Sequence, residues 1–276
     1  MLHVSVIIPA FKAQATIGRA VASIQKAGIP MHQIQIVIAP DDRQDYGFLS
    51  CQTKSLTFVQ SDAIGSGAGP SRNRALLAAT GDYVAFLDAD DTWEPGYLAD
   101  LLPLAQQAGA AFGRPSILLQ NREILRLPLS GAETMLSFEH MARSGASFHP
   151  LVQRKHAGPF ANRASQDILQ SLEVLALCGG TAPMAKAAYQ LRISPASVTA
   201  AANFSRRAAV AYTDYQSDIK RGVTRIPEAF HADAISVFAT KKQLNQAYMD
   251  AGQDQSYYQF IAAQTWTTAS NEQGCI

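Results

Sequence analysis

The segment Gly81-Asp-Tyr-Val-Ala-Phe-Leu-Asp-Ala-Asp-Asp91 joins a short apolar run to three carboxylates within four positions. Because valine and aromatic residues suit a buried strand, we predict a strand over Tyr83–Leu87. Open α/β sheets bind ligands at the carboxyl ends of their strands, which is where Asp88, Asp90 and Asp91 fall. Carboxylates this close repel one another, and oxygen ligands suit Mg²⁺ or Mn²⁺, ions that also hold substrate phosphates. The spacing alone predicts a solvated acidic turn equally well.

The composition is that of an ordinary globular protein. Apolar residues make up 47% of the 276 residues and charged residues 16%, which argues against disorder. A net charge of +1 gives no reason to expect a nucleic-acid partner, and we predict none. The cysteines are widely spaced, and no run approaches the about 18 apolar residues that span a bilayer. We therefore expect a cytoplasmic protein, with peripheral attachment at the inner membrane face left open and the oligomeric state undetermined.

Strand and helix patterns alternate from the start of the chain. The apolar runs Val4–Ile8 and Ile34–Ile38 predict strands that are buried on both faces, with a helix between them. A glycine run leads into a helix predicted over Ser71–Ala79, and a further helix is predicted near Gly96 to Leu102, which Pro103 should kink or stop. Three short strands are predicted next, over Ala111–Arg114, Ser116–Gln120 and Glu123–Leu127. The fold class is therefore α/β, with a mainly parallel sheet flanked by helices.

Beyond about residue 200 the pattern becomes helical. We expect residues 201–276 to form a helical C-terminal extension that packs on a domain of residues 1–200. Ser165 is predicted to cap the last helix of that domain. One apolar stripe in the extension contains a lysine: Phe230, Ala234, Val237, Phe238, Lys241, Leu244 and Tyr248.

The glycine run is not a nucleotide-binding fingerprint of a common kind. Gly65-x-Gly67-x-Gly69 places Pro70 where a dinucleotide motif requires its last glycine, and no Gly-Lys-Ser/Thr follows. The backbone N–H groups at the start of the next helix, with Arg72 beside them, still suit an anion.

Several segments together resemble glycosyltransferase family 2. Their order and intervals agree with that family over roughly residues 3 to 200. The segment around the three carboxylates is the most specific of them, because it is similar to the family's DxD segment throughout. The segments are Val4-Ser-Val-Ile-Ile-Pro-Ala-Phe11, Gly69-Pro-Ser-Arg-Asn-Arg-Ala75, Gly81 to Pro95, Gly158-Pro-Phe160, Ser165-Gln-Asp-Ile-Leu169 and Tyr189-Gln-Leu-Arg-Ile-Ser-Pro-Ala-Ser197.

This resemblance implies a GT-A fold and the transfer of a sugar, with inversion, from a nucleoside-diphosphate sugar to a hydroxyl of a glycan, lipid-linked or small-molecule acceptor. A divalent cation, Mn²⁺ or Mg²⁺, is the implied cofactor. The implied site residues are Asp167 as catalytic base, Asp90 and Asp91 as metal ligands, and Pro9, Ala10, Phe11, Asp41, Asp42, Arg72, Asp88 and Arg192 as donor-binding residues. The alternative for Asp167 is that it only supports the start of its helix.

The sequence departs from the family pattern at the end of the second strand. The family has two acids there, one of which contacts the donor base, whereas this chain has Ala39 and Pro40. We predict that Asp41 or Asp42 reaches the base or ribose through a reshaped turn. Gln166 also replaces a usual glutamate. Two other functions therefore stay open: a nucleotidyltransferase, or a non-catalytic protein that binds nucleotide sugars.

Overall fold

Strands and helices alternate through the first half of the chain in the computed structural model, which describes residues 3–62, 64–127, 134–194, 203–252 and 255–272, with side chains up to 264. The strands are β1 Val4–Ala10, β2 Ile34–Pro40, β3 Leu56–Phe58, β4 Tyr83–Phe86, β5 Thr92–Trp93, β6 Ala110–Leu119, β7 Arg122–Arg126, β8 Met135–Ser137, β9 Pro150–Gln153 and β10 Thr181–Ile193. The helices are α1 Ile17–Ile24, α2 Ala68–Ala78, α3 Tyr97–Ala108, α4 Phe138–Arg143, α5 Gln166–Leu177, α6 Phe204–Lys220, α7 His231–Asp250 and α8 Tyr257–Glu272.

The described strands form one mixed sheet in the order β3-β2-β1-β4-β9-β6-β10-β5, with β7 on β6 and β8 on β10. The first four strands are parallel, as the βαβ pattern predicts. Antiparallel pairing begins at β9, which lies between β4 and β6. The carboxyl ends of β1, β2 and β4 therefore meet at one edge, and the long strand β10 reaches the same region through β6.

Each face of the sheet is covered by a separate apolar core. Because successive side chains of a strand point to opposite faces, Ile7 belongs to one core and its neighbours Val6 and Ile8 to the other. Helices α1 and α3 pack in the core of Val6. Helices α5, α6 and α7 share the core of Ile7, which also contains Phe238 of α7. The boundary predicted at residue 200 lies outside the described residues and stays a prediction.

Two prolines do not end the elements in which they lie, contrary to the sequence-based prediction. Pro103 lies within α3 on its exposed face, where water can take up the carbonyl that it leaves unbonded. Burial of Leu101 and Ala105 on the opposite face keeps the helix continuous.

Pro115 lies inside β6, which is one continuous strand where two were predicted. On the side away from β10, strand β9 pairs with β6 only as far as Phe112, and β7 begins to pair at Ser116. The missing N–H of Pro115 therefore falls between two partners, and the parallel pairing with β10 continues past it.

Candidate active site

A buried ion pair forms the floor of the site at the end of β4. Arg72 of α2 is 2% exposed and pairs with Asp88, whose side chain is 32% exposed. Burial by itself would raise the pKa of the Asp88 carboxyl, but the Arg72 guanidinium and the nearby His149 lower it. Asp88 is therefore held as a carboxylate, and Arg72 is fixed with Nη2 toward it.

Asp91 is held from two directions by β10. Its Oδ1 accepts a hydrogen bond from the backbone N–H of Arg192 at 2.7 Å, and the Tyr189 hydroxyl donates to the same carboxyl. That hydroxyl also accepts from the backbone N–H of Asp88 at 2.9 Å. Burial raises the pKa of Asp91 well above its ordinary value, and the charges of Asp90 and Asp88 raise it further. Tyr189 thus connects two of the three predicted acids, a role that the sequence did not predict.

His149 lies flat on Tyr189, with ring centroids 4.3 Å apart and planes 8° from parallel. It is 4% exposed, and its Nε2 is 3.8 Å from Oδ2 of Asp88. Burial lowers the pKa of His149, and Arg72 lowers it too, whereas Asp88 and Asp167 act in the opposite direction. The imidazole is therefore neutral near pH 7.

A small cavity of about 230 Å³ adjoins Asp90. Arg19 and Arg192 both line it, and Arg19 donates from Nη2 to the Asp90 carbonyl at 3.3 Å. The guanidinium of Arg192 donates from Nε to Thr92 Oγ1 at 3.0 Å and from Nη1 to Asn121 Oδ1 at 2.6 Å. Two positive groups thus face one cavity beside a predicted metal ligand, an arrangement that suits the negative charge of a diphosphate.

The two late acids of the second strand have separate roles. Asp41 is 3% exposed and accepts from Gly67 N at 2.7 Å, Ser66 Oγ at 2.5 Å and Arg74 Nη2 at 3.1 Å. Burial would raise the pKa of Asp41, but the bonds from Ser66, Gly67 and Arg74 lower it. Asp41 therefore shapes the glycine loop that leads into α2.

Asp42 instead faces a cavity of about 430 Å³ at the end of β2. Its carboxylate accepts from the backbone N–H of Lys12 and, at 3.0 Å, from the Tyr46 hydroxyl. Pro9 is half-buried and Ala10 buried, whereas Phe11 is 48% exposed at the end of β1. Of the two acids only Asp42 lines the cavity, so the predicted contact with a nucleoside depends on Asp42 and stays a prediction.

Asp167 lies half-buried in the first turn of α5. Ser165 does occupy the N-cap position, but its φ of 57° turns its side chain away from the helix N–H groups, and the predicted side-chain cap does not form. The Asp167 charge acts on the pKa values of side chains from five other parts of the chain: Arg72, His149, Tyr212, Tyr215, Lys241 and Tyr258. Asp167 and Asp88 therefore act electrostatically on two of the same side chains, Arg72 and His149.

The Asp167 charge also acts on buried side chains of the C-terminal helices α7 and α8. Lys241 of α7 is 1% exposed, and its Nζ donates to the Ala146 carbonyl at 3.3 Å. Burial lowers the pKa of Lys241 to about 8, although the Asp167 charge acts in the opposite direction. Tyr258 of α8 is bonded to Ser147. The lysine within the apolar stripe of α7 was the one sequence signal for this contact.

A protein-only metal cage and a membrane-spanning helix are both absent from the described residues. No three His, Cys, Asp or Glu side chains in that part of the chain converge as a metal cage. Among the same residues, no helix has the length and apolar character needed to cross a membrane.

Comparison with known proteins gave matches to one family. Residues 5–150 match the family model described as glycosyl transferase family 2. The amylovoran biosynthesis glycosyltransferase AmsB of Erwinia amylovora is 30% identical over 129 residues, which are 44% of this chain and 42% of AmsB. The UDP-Glc:alpha-D-GlcNAc-diphosphoundecaprenol beta-1,3-glucosyltransferase WfgD of Escherichia coli is 32% identical over 96 residues, 33% of this chain and 36% of WfgD. The matched stretch thus spans well under half the length of these relatives.

Solved structures with a similar fold include two complexes with sugar nucleotides. TarS 1-349 of S. aureus in complex with UDP-GlcNAc has a TM-score of 0.65 and 16% identity, over 86% of this chain and 72% of that one. The mannosyltransferase PcManGT of Pyrobaculum calidifontis, in complex with GDP-Man and Mn²⁺, has a TM-score of 0.54 and 14% identity, over 98% and 80%. The predicted GT-A fold is confirmed, with a mixed sheet and a helical C-terminal region.

Proposed function

Because the chain belongs to glycosyl transferase family 2, we propose that it transfers a sugar from a nucleoside-diphosphate sugar to an acceptor hydroxyl, with inversion and with a divalent cation. The observation that carries the proposal is that carboxylates from two separate parts of the chain, Asp88 and Asp167, both act on the buried Arg72. On the donor side, Asp88 is paired with Arg72 and leads to Asp90 and Asp91. On the acceptor side we place Asp167, whose charge also acts on Arg72.

The two sides suit the two halves of the reaction. Asp167 takes the proton from the acceptor hydroxyl, and the resulting oxygen attacks the anomeric carbon of the donor sugar. The bond from that carbon to the diphosphate oxygen breaks, and its electron pair leaves with the nucleoside diphosphate. Attack from the side opposite the leaving group inverts the anomeric configuration. Arg19 and Arg192, which line the cavity beside Asp90, supply fixed positive charge for the diphosphate.

The carboxylates at the end of β4 fit a divalent cation of the Mg²⁺ or Mn²⁺ type. Such ions are usually held by one or two carboxylates together with substrate phosphates, so an all-protein cage is not required. Asp90 and Asp91 would hold the ion, and the raised pKa of buried Asp91 beside Asp90 and Asp88 is the imbalance that a cation relieves. When bound, the cation neutralises charge on the leaving diphosphate.

The acceptor and the location are proposed from the relatives. WfgD is named for an acceptor linked to a lipid diphosphate, and AmsB for the synthesis of a polysaccharide. We therefore propose a glycan or lipid-linked acceptor, with peripheral contact at the inner face of the membrane. The nucleoside is proposed to enter the cavity beside Asp42.

Analysis of reaction products tests this function. The protein is incubated with Mn²⁺ and a panel of sugar nucleotides, with UDP-GlcNAc and GDP-mannose included, and the released phosphates are separated. Glycosyl transfer, or slow donor hydrolysis without an acceptor, releases a nucleoside diphosphate. A parallel incubation supplies nucleoside triphosphates and sugar 1-phosphates, from which release of pyrophosphate would instead indicate a nucleotidyltransferase. Binding without release of either product would indicate a non-catalytic protein.

A further inference from the structure

Several buried polar atoms without a partner belong to side chains that lie close to Asp88 or next to Asp167. Of the nine buried side-chain nitrogen and oxygen atoms that lack a hydrogen bond in the described part of the chain, five belong to Arg72, His149 and Gln166. They are Nε and Nη1 of Arg72, both ring nitrogens of His149, and Oε1 of Gln166. Native proteins leave few such atoms unpaired, because each costs about 1–3 kcal/mol. A concentration of them therefore calls for a polar ligand.

The three side chains are well buried and form one group. Arg72 is 2% exposed, His149 4% and Gln166 8%. Arg72 and His149 each respond to the charges of both Asp88 and Asp167. Gln166 directly precedes Asp167, and its Cγ lies against Gly69, one helical turn before Arg72. The side chain of Asp88 is partly exposed, which gives the group an accessible edge.

We propose that Arg72, His149 and Gln166 form the pocket for the hydroxyl groups of the transferred sugar, with His149 and Gln166 as residues that determine donor specificity. This inference rests on the proposed glycosyl transfer. With the diphosphate at Asp90 and Asp91 and the base at Asp167, the transferred ring must lie between them, where these three side chains are.

The types of unpaired atom distinguish a sugar from a phosphate. Arg72 can only donate hydrogen bonds, and Oε1 of Gln166 can only accept them. A neutral imidazole donates from one ring nitrogen and accepts at the other. The diphosphate of a sugar nucleotide carries no proton at neutral pH and only accepts, so it would leave Oε1 of Gln166 unpaired. A sugar hydroxyl both donates and accepts and satisfies all three side chains. The stacking on Tyr189 holds the His149 ring in one orientation, as specific recognition requires.

Binding measurements on His149→Phe and Gln166→Leu test the proposal. Dissociation constants are measured by calorimetry in Mn²⁺ for UDP-GlcNAc and UDP, with GDP-mannose and GDP in parallel. Phenylalanine retains the stacking but not the ring nitrogens. We expect each variant to bind the sugar nucleotide about 10-fold more weakly, the loss of one to two hydrogen bonds. Binding of the bare nucleoside diphosphate should change less than about twofold, because it does not reach the pocket. His156→Phe, the same change at a half-buried histidine away from the group, is the control.

Thermal stability separates this role from a structural one. Removing unpaired buried nitrogens should leave the melting temperature of His149→Phe equal to or above that of the wild type, whereas a histidine needed for packing would lower it. Should His149→Phe not fold, Gln166→Leu and wild-type protein with monodeoxy analogues of the bound donor give the same information. A buried polar pocket rejects an analogue that lacks its hydroxyl by a factor of up to about 10⁴.

Two results would overturn the inference, and they differ in what they say of the function. If the variants bound the sugar nucleotide and the bare nucleotide equally more weakly, or bound both as the wild type does, these side chains would not contact the sugar. The proposed glycosyl transfer would be unaffected by either result. Wild-type protein that binds none of the sugar nucleotides in the panel used for product analysis would remove the proposed function itself.

Discussion

Replacing Tyr189 by phenylalanine tests whether β10 holds Asp88 and Asp91 in place. The Tyr189 ring is 2% exposed, and a phenylalanine keeps its stacking on His149. The lost hydroxyl accepts from the backbone N–H of Asp88 at 2.9 Å and donates to Asp91. Burial raises the pKa of Tyr189 well above its ordinary value, and the charges of Asp91 and Asp88 raise it further, so this hydroxyl keeps its proton at any working pH.

The cost follows from the two groups that lose a hydrogen bond. The N–H of Asp88 is left unpaired, which costs about 1–3 kcal/mol, and the Asp91 carboxyl keeps its bond from Arg192 and loses one worth about 1 kcal/mol, about 2–4 kcal/mol in all. For a chain of this size that corresponds to a fall of about 5–15 °C in melting temperature. Because Asp91 loses one of the two bonds that hold it, the Mn²⁺-dependent part of donor binding should weaken as well.

Differential scanning calorimetry with a matched variant measures this cost. Tyr248→Phe removes a hydroxyl of another buried tyrosine that donates to a single carbonyl, that of Gln255, at 2.9 Å and lies away from the acids. It should cost about 1 kcal/mol and leave donor binding unchanged. If Tyr189→Phe melted within about 2 °C of Tyr248→Phe and bound the donor normally, the bridging role of Tyr189 would be refuted.

Three further variants test the other parts of the site. Asp167→Asn should lower turnover by about 10²–10⁴ at saturating substrates and leave donor binding and melting temperature nearly unchanged; near-normal turnover would rule out the base role. Asp90→Asn should remove the Mn²⁺-dependent part of donor binding without unfolding the protein, with Asp82→Asn, at an exposed residue just before β4, as control; equal wild-type binding with and without Mn²⁺ would contradict the metal role. Burial lowers the pKa of Lys241 from 10.5 to about 8, so between these values the unfolded chain binds the extra proton and native stability rises with pH. In urea unfolding, the free energy of unfolding of the wild type should therefore rise by about 3 kcal/mol relative to Lys241→Met from pH 8 to 10.5. The exposed variant Lys242→Met should follow the wild type, and parallel pH profiles of the wild type and Lys241→Met would falsify the lowered pKa of Lys241.

Local features of the chain were predictable because they depend on neighbouring residues. The βαβ start follows from apolar runs whose periodicity matches buried strands and a helix between them. The acids after Phe86 and the arginine after the glycine run lie at element ends, and parallel strands bring such ends to one edge. The family segments added the expected roles, of which fold and family are now shown and the individual residue roles stay predictions.

The turn after β2 shows where local sequence stops being sufficient. Asp41 and Asp42 are adjacent and chemically identical, yet one is bonded to the glycine loop and the other faces a cavity. Which one faces the cavity depends on where Gly67 and Lys12 lie in space. The same holds for Pro115, which is tolerated in β6 because its two neighbouring strands happen to end and begin beside it.

Tertiary structure alone decided which distant side chains complete the site. Tyr189 meets the N–H of Asp88 across 101 positions of sequence, through the pairing of β10 with β6 and β5. Lys241 reaches the Ala146 carbonyl across 95 positions because α7 packs on α4. Propensity and periodicity act over one or two turns of chain, whereas strand register and helix packing are set by burial of the whole core. The sequence by itself therefore determined where the acids stand along the chain, and only the packed core determined what surrounds them.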